Sequence, residues 1–150
     1  MKIRNAEIDD FLSIALLDRR VWKDNNFISD GEHVWRLWVE YSKVFVAEEN
    51  KKIIGVCLLF KSYKSSLYLL HKIFIDKKYR DKKIGNNFFK KVIEFLDDEE
   101  CDCLLTTKPI NFTMIHLCEK YGFDKKKLIK GYYRNTEDRL VIERIYRRIK

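Results

Sequence analysis

A chain of 150 residues is long enough to bury one core without staples and too short for two ordinary domains. It is 46% apolar with one proline, and no apolar run is long enough to span a bilayer; a transmembrane class is excluded and a soluble protein is expected. The net charge of +8 admits nucleic acid, acidic proteins, an anionic membrane surface or a polyanionic small molecule without choosing among them.

Residues 1–7 lack the charged-then-apolar layout of a secretory signal, which points to the cytoplasm. Lys2 to Arg4 suit a short strand. From Ile8 to Arg20 and just beyond, Phe11, Ile14, Leu17 and Val21 recur at helical steps, and Asp9 and Asp10 suit the positive end of that helix. The polar stretch Lys23-Asp24-Asn25-Asn26 leads through Asp30-Gly31 into a second helix, whose expected apolar face is Val34, Leu37, Trp38 and Tyr41. Val44 to Glu48 and Ile53 to Ser62 read as strands joined by the polar turn Glu49-Asn50-Lys51-Lys52; the second is almost continuously apolar, as a central strand is.

Leu67 to Ile75 is the next strand, and a helix follows to Leu96. There the acidic run Asp97-Asp98-Glu99-Glu100 opposes the helix dipole and marks an end. Cys101 to Thr107 returns as a strand, a helix covers about Thr113 to Tyr121, and two further strands, from Phe123 onward and from Arg139 to Ile145, can pair across the Tyr132 to Asp138 turn region. Six or seven strands with about four helices in this order predict a mixed α/β sheet in a single domain, 1–150, with no repeats or linkers. The four cysteines form no Cys-x-x-Cys pair, so no metal is expected.

The chemistry concentrates between Leu67 and Leu96. An apolar strand ends in the turn Asp76 to Asn86, and a helix follows at once with Ile84, Phe88, Val92 and Phe95 at helical spacing. A helix N-terminus presents backbone N–H groups without intrahelical partners together with a partial positive charge, so it suits an anion such as a phosphate. Gly85 lets a ligand approach the backbone, and the basic residues between Lys77 and Lys83 add charge. Solvated surface is the alternative reading of such a turn. The same reading is placed above nucleic-acid binding for Lys125 to Lys130 and Arg144 to Lys150.

Arg80-Asp81-Lys82-Lys83-Ile84-Gly85 resembles the Gln/Arg-x-x-Gly-x-Gly/Ala signature that the GCN5-related N-acetyltransferase (GNAT) superfamily carries between its fourth strand and third helix, with Lys83 in place of the first glycine. A second segment, Asn111 to Phe123 ending in Glu119-Lys120-Tyr121-Gly122-Phe123, is similar to the family's later Asn-x-x-Ala-x-x-Leu-Tyr-Glu-Lys-x-Gly-Phe helix. Gly122 fits there as the residue just past a helix end. The resemblance covers essentially the whole chain. It implies a mixed, mostly antiparallel sheet of six to seven strands with strands 4 and 5 splayed, and about four helices.

It also implies a reaction, direct transfer of an acetyl group from acetyl-CoA to a primary amine. Pantetheine would run along Ile73, Phe74 and Ile75, with a main-chain N–H, given to Phe74, supporting the oxyanion. Pyrophosphate contacts carry over to Arg80, Asp81, Lys82, Lys83, Ile84, Gly85 and Asn86, and Asn111 matches an asparagine near the cofactor arm. Cys118 stands where many relatives have a proton-donating tyrosine. Three readings of it remain open: inert packing with Met114, Leu117 and Tyr121, then proton donor, then acylated nucleophile. The fifth strand offers no carboxylate for a base, His71 is expected on a core face, and Glu137 or a water is the alternative.

For the acceptor, Tyr132-Tyr133 ahead of Glu137-Asp138 looks like the hairpin of the ribosomal-protein alanine N-acetyltransferases and their protein N-terminal relatives, where paired tyrosines help cover the peptide backbone. Trp22, Phe27 and Trp35 are candidates for lining the acceptor site, helix packing being their other role. A peptide N-terminus leads as acceptor, ahead of a small-molecule amine of the aminoglycoside type. A catalytically degenerate CoA-binding or interaction protein is the rival from another class. The expected assembly is a monomer or homodimer without membrane or nucleic-acid partners.

Overall fold

The computed structural model describes residues 1–23 and 29–147. Among the described residues seven strands and four α-helices follow one another: β1 (Lys2–Asn5), α1 (Phe11–Lys23), α2 (Glu32–Tyr41), β2 (Lys43–Glu49), β3 (Lys52–Lys61), β4 (Leu67–Ile75), α3 (Ile84–Glu99), β5 (Asp102–Thr107), α4 (Phe112–Lys120), β6 (Lys125–Ile129) and β7 (Arg139–Arg144). The sheet order is β1-β2-β3-β4-β5-β7-β6, antiparallel at β1–β2, β2–β3, β5–β7 and β6–β7, and parallel at β4–β5. This is the mixed α/β sheet expected from the sequence. No helix among the described residues is long and apolar enough to cross a membrane.

The chain divides into two compact units, 1–60 with 72–88 and 61–71 with 89–150. The first is built on the hairpin of β2 and β3. Its turn takes Asn50 and Lys51 at φ 51° and 63°, the paired left-handed conformation that matches the twist of a two-residue hairpin. Val44, Val46, Val56 and Leu58 on the strands pack against Ile14, Leu17 and Val21 of α1, Trp35 of α2 and Phe74 of β4. Ahead of α1, Arg4 joins Asp10 at 2.7 Å and Glu48 at 2.8 Å, tying the chain start to β2.

In the second unit the parallel ladder joins Leu67–Leu69 to Asp102–Leu104 in three pairs, while β5 pairs along its length with β7. Phe89 stacks on Tyr121 at 5.6 Å and meets Phe123 edge-on at 5.7 Å. Helix α4 ends as the sequence suggested. The Phe123 N–H reaches the Cys118 carbonyl at 2.9 Å, the Gly122 N–H faces that of Glu119, and Gly122 takes φ 83°, where only glycine is unstrained. Helix α3 ends similarly, but later than expected. The acidic residues to Glu99 stay helical, and Glu100 at φ 53° turns the chain, with Cys101 N–H bonded to the Leu96 carbonyl at 3.1 Å.

Two further expectations need correction. The inner face of α2 is not Val34, Leu37, Trp38 and Tyr41: Leu37 and Tyr41 are 55% and 77% exposed, whereas Trp35 is fully buried and Trp38 and Val39 are half-buried against the core. His71, expected on a core face, is exposed; Leu70 and Phe74 are the buried residues of that strand.

Gly55 tests the closeness of packing in the first unit. A Cβ there would stand 3.0 Å from the fully buried ring of Phe88 and 3.4 Å from the Phe74 carbonyl oxygen. Gly55→Ala is therefore expected to destabilise by about 1–3 kcal/mol, seen as a lower denaturant midpoint. An unchanged midpoint would show that β3, β4 and α3 can separate there without loss.

Candidate functional site

The basic turn is built where β4 ends. Asp76, 4% exposed, closes the strand: its N–H donates to the Ile54 carbonyl at 2.7 Å, and its carboxylate accepts from the Lys78 N–H at 3.2 Å and from Arg20 Nη2 at 2.7 Å. One 3₁₀ turn, Lys77–Tyr79, leads to the exposed residues Arg80, Asp81, Lys82 and Lys83. Asp81 at φ 70° and Lys83 at φ 59° are both left-handed, a conformation costing a residue with a side chain roughly 1–2 kcal/mol. Lys83 thus keeps the backbone shape of the glycine that the sequence pattern places there.

The Lys83 carbonyl accepts the N–H of Asn87 at 3.1 Å, so α3 begins immediately. The N–H groups of its first turn project from the helix end, which carries no acidic residue. Ile84, 2% exposed, seats that end in the core, while Gly85 and Asn86 are half-buried. The Lys82 ammonium rests 5.2 Å from the Tyr79 ring centre. Backbone donors, the helix dipole and the exposed cations Arg80, Lys82 and Lys83 converge in one turn, as an oxyanion of phosphate requires.

On β4, Ile73 and Ile75 are half-buried and Phe74 is 4% exposed. The Asp76 N–H is bonded to β3, and the Phe74 carbonyl lies against Gly55 of β3. A residue's N–H and C=O point to the same edge of a regular strand, and consecutive residues alternate. The main chain of Phe74 therefore faces β3, and that of Ile73 and Ile75 faces the other edge. This corrects the expectation that the Phe74 N–H supports an oxyanion, because that group is turned into the sheet.

Also in the first unit, Trp22 is half-buried, and its ring meets Phe74 edge-on at 6.3 Å. Trp35 is 0% exposed, and its indole N–H donates to Asp18 at 2.8 Å, so it is a core residue and lines no open surface. Phe27 lies outside the described residues.

The second unit holds the remaining candidates. Asn111 caps α4, its side-chain oxygen accepting the Met114 N–H at 3.2 Å. Cys118 is fully buried, and burial pushes its thiol up to about 12, with Lys126 opposing and Glu119 adding to the rise. Tyr132 and Tyr133 are 39% and 56% exposed with ring centres 4.8 Å apart; the Tyr133 hydroxyl lies 3.1 Å from Thr106 Oγ1 of β5, and the Arg139 guanidinium lies 5.1 Å from its ring centre. Glu137 is half-buried and pairs with Arg134 at 3.2 Å and Arg139 at 3.4 Å.

Sequence reasoning passed over a charged centre in the first unit. Asp18, on the core face of α1, is 0% exposed and accepts Lys72 Nζ at 2.9 Å as well as the Asp30 N–H at 3.0 Å and the Trp35 indole. Lys72 also pairs with Asp30 at 2.6 Å. A signal was present: an acid in the Ile14-Leu17-Val21 stripe and a lysine inside an apolar strand are both out of pattern.

Comparison with known proteins places this arrangement. The sequence model of the Acetyltransferase (GNAT) family matches residues 7–123. An N-alpha-acetyltransferase of Saccharolobus solfataricus is 26% identical over 159 residues, covering 95% of this chain and 91% of the relative. N-alpha-acetyltransferase 30 of Xenopus laevis is 37% identical over 67 residues, but the match spans only 44% of this chain and 24% of that protein. Among solved structures, the ribosomal-protein-S18-alanine N-acetyltransferase from Escherichia coli superposes with a TM-score of 0.83 at 18% identity, covering 99% of this chain and 96% of that one. The PaiA N-acetyltransferase from Thermoplasma acidophilum, solved in complex with coenzyme A, gives 0.71 at 16% identity, with 97% and 98% covered. The match across 7–123 shows that this chain belongs to the GNAT family of acyl-CoA-dependent N-acetyltransferases.

Proposed function

We propose that residues 1–150 act as one catalytic domain that transfers an acetyl group from acetyl-CoA to a primary amine, and that the acceptor is a protein or peptide N-terminus. The observation that carries the cofactor half is the turn before α3, where Asp81 and Lys83 hold left-handed conformations next to a helix end with exposed cations and no acidic residue in its first turn. Left-handed residues also shape other turns of this chain, at Asn50, Lys51 and Glu100, so those of the basic turn count together with the helix end and the cations beside them. The N–H groups from Asp81 to Asn86 receive the pyrophosphate, with Arg80, Lys82 and Lys83 adding charge. For Asn111 a cofactor contact is assigned on the resemblance alone.

The outward main-chain groups of Ile73 and Ile75 hold the pantetheine arm, and one of their N–H groups takes the oxyanion role. The reaction needs little more than a neutral amine held beside the thioester in that geometry. Cys118 takes no chemical part. A fully buried thiol near 12 stays protonated at neutral pH and is no nucleophile; as an acid it would give its proton to a thiolate of ordinary pKa against a gap on the order of 4 kcal/mol.

The names of the relatives and the exposed Tyr132–Tyr133 pair support a protein N-terminus over a small amine. Aromatic side chains of that kind give a backbone large contact area at low entropic cost.

Incubation with acetyl-CoA and a panel of peptides, set against polyamines and aminoglycosides and read by mass spectrometry, is expected to show one acetyl group on the peptide α-amine and none on peptides with a blocked N-terminus. Transfer confined to the small amines would overturn the acceptor assignment. Cys118→Ala is expected to keep kcat within about twofold at a modest cost in stability. A loss of tenfold or more in folded protein would return Cys118 to the chemistry.

A further inference from the structure

We propose that Asp18 is a positioning residue for acetyl transfer, fixing through its buried ion pair with Lys72 the stretch of β4 that presents main chain to the thioester. The proposal rests on the acetyl-CoA reading above.

The pair is costly where it stands. Asp18 is 0% exposed and the Lys72 side chain 11% exposed, among Ile14, Leu17, Val21, Trp35 and Phe74. Apolar residues of similar volume usually serve a core as well as a buried ion pair does, so stability alone does not explain one. What the pair supplies is direction. The carboxylate takes Lys72 Nζ on both oxygens, at 3.0 and 2.9 Å, and also accepts the Asp30 N–H and the Trp35 indole N–H. One α1 side chain thereby ties together β4, the entry to α2 and the aromatic core of that helix.

The ammonium is confined on its other sides as well. It lies 5.7 Å from the Trp22 ring centre and 5.9 Å from those of Trp35 and Phe74. Phe74 is itself held edge-on by Trp22 at 6.3 Å and Trp35 at 6.0 Å. Lys72 and Phe74 flank Ile73 and share one face of the strand. Both are locked to the helices, so the peptide groups of Ile73 cannot slide along the strand or rotate. Displacements of about 1 Å in groups that align reacting atoms can cost on the order of a hundredfold in rate.

Lys72→Met alone would strand a buried carboxylate and unfold the unit, so the test uses the double variant Asp18→Asn/Lys72→Met, which removes both charges and keeps the volumes. Asp18→Asn alone serves as the milder companion, since its amide oxygen still accepts from Trp35 and Asp30. Both are compared with the natural protein for thermal midpoint, acetyl-CoA affinity by calorimetry, and kcat and KM for a peptide acceptor. In folded variants the expected result is acetyl-CoA affinity within about twofold and kcat reduced about tenfold or more, because the phosphate turn is untouched while the thioester strand is loosened. Folded variants with unchanged kcat would overturn the proposal and leave the pair a packing device. Loss of folding in both would make it a folding determinant and overturn the proposal equally. A natural protein that binds acetyl-CoA but acetylates no amine would mark failure of the functional reading itself, and the proposal falls with it.

Discussion

Backbone donors at the start of a helix have no partner inside the helix itself, and at α3 they meet a turn of exposed cations. Helix α3 follows the basic turn with no acidic residue in its first turn, and the turn is bent by two left-handed residues. The buried carboxylate of Asp76, held by Arg20 and by the Lys78 N–H, fixes where the strand ends and the turn begins. Ile84 seats the first turn of the helix in the core. An anion is the natural complement of what remains, and the other features of the first unit follow from holding that turn and the strand before it in place.

The charges divide into two kinds. Those of the turn are exposed cations, screened by salt and adaptable in geometry. Asp18 is buried and Lys72 nearly so, and their hydrogen bonds are directional. The first kind suits capture of a polyanion and the second suits precision at a reacting centre, which on the proposed reading would give one fold unit two different electrostatic tasks, binding and alignment. In the second unit, Cys118 illustrates a third outcome: an ionisable group closed off from water, with its thiol pushed up by burial.

What could be read from the sequence was local. The strand, basic turn and helix, the glycine that ends α4, and the β6–β7 hairpin all depend on residues near one another in the chain, and all appear. What could not be read was phase. Val34-Leu37-Trp38-Tyr41 and Trp35-Trp38-Val39 both have helical spacing, and the second stripe faces inward because the Trp35 indole finds a buried carboxylate on another helix. Likewise a strand alternates with period 2 whichever way it starts; pairing with β3 turns Phe74 inward and leaves the outward main chain to Ile73 and Ile75. His71 was misplaced for the same reason. Long-range contacts fix these choices, and no local pattern announces them.

The central claim is that the backbone of the turn, rather than diffuse positive charge, recognises the cofactor. The most direct test follows backbone amide resonances by nuclear magnetic resonance while coenzyme A is added. The account predicts saturable shifts centred on Asp81 to Asn86, with Ile73 and Ile75 following, that persist at high salt. Shifts scattered over the lysines of β6 and lost in salt, with the turn unmoved, would contradict it.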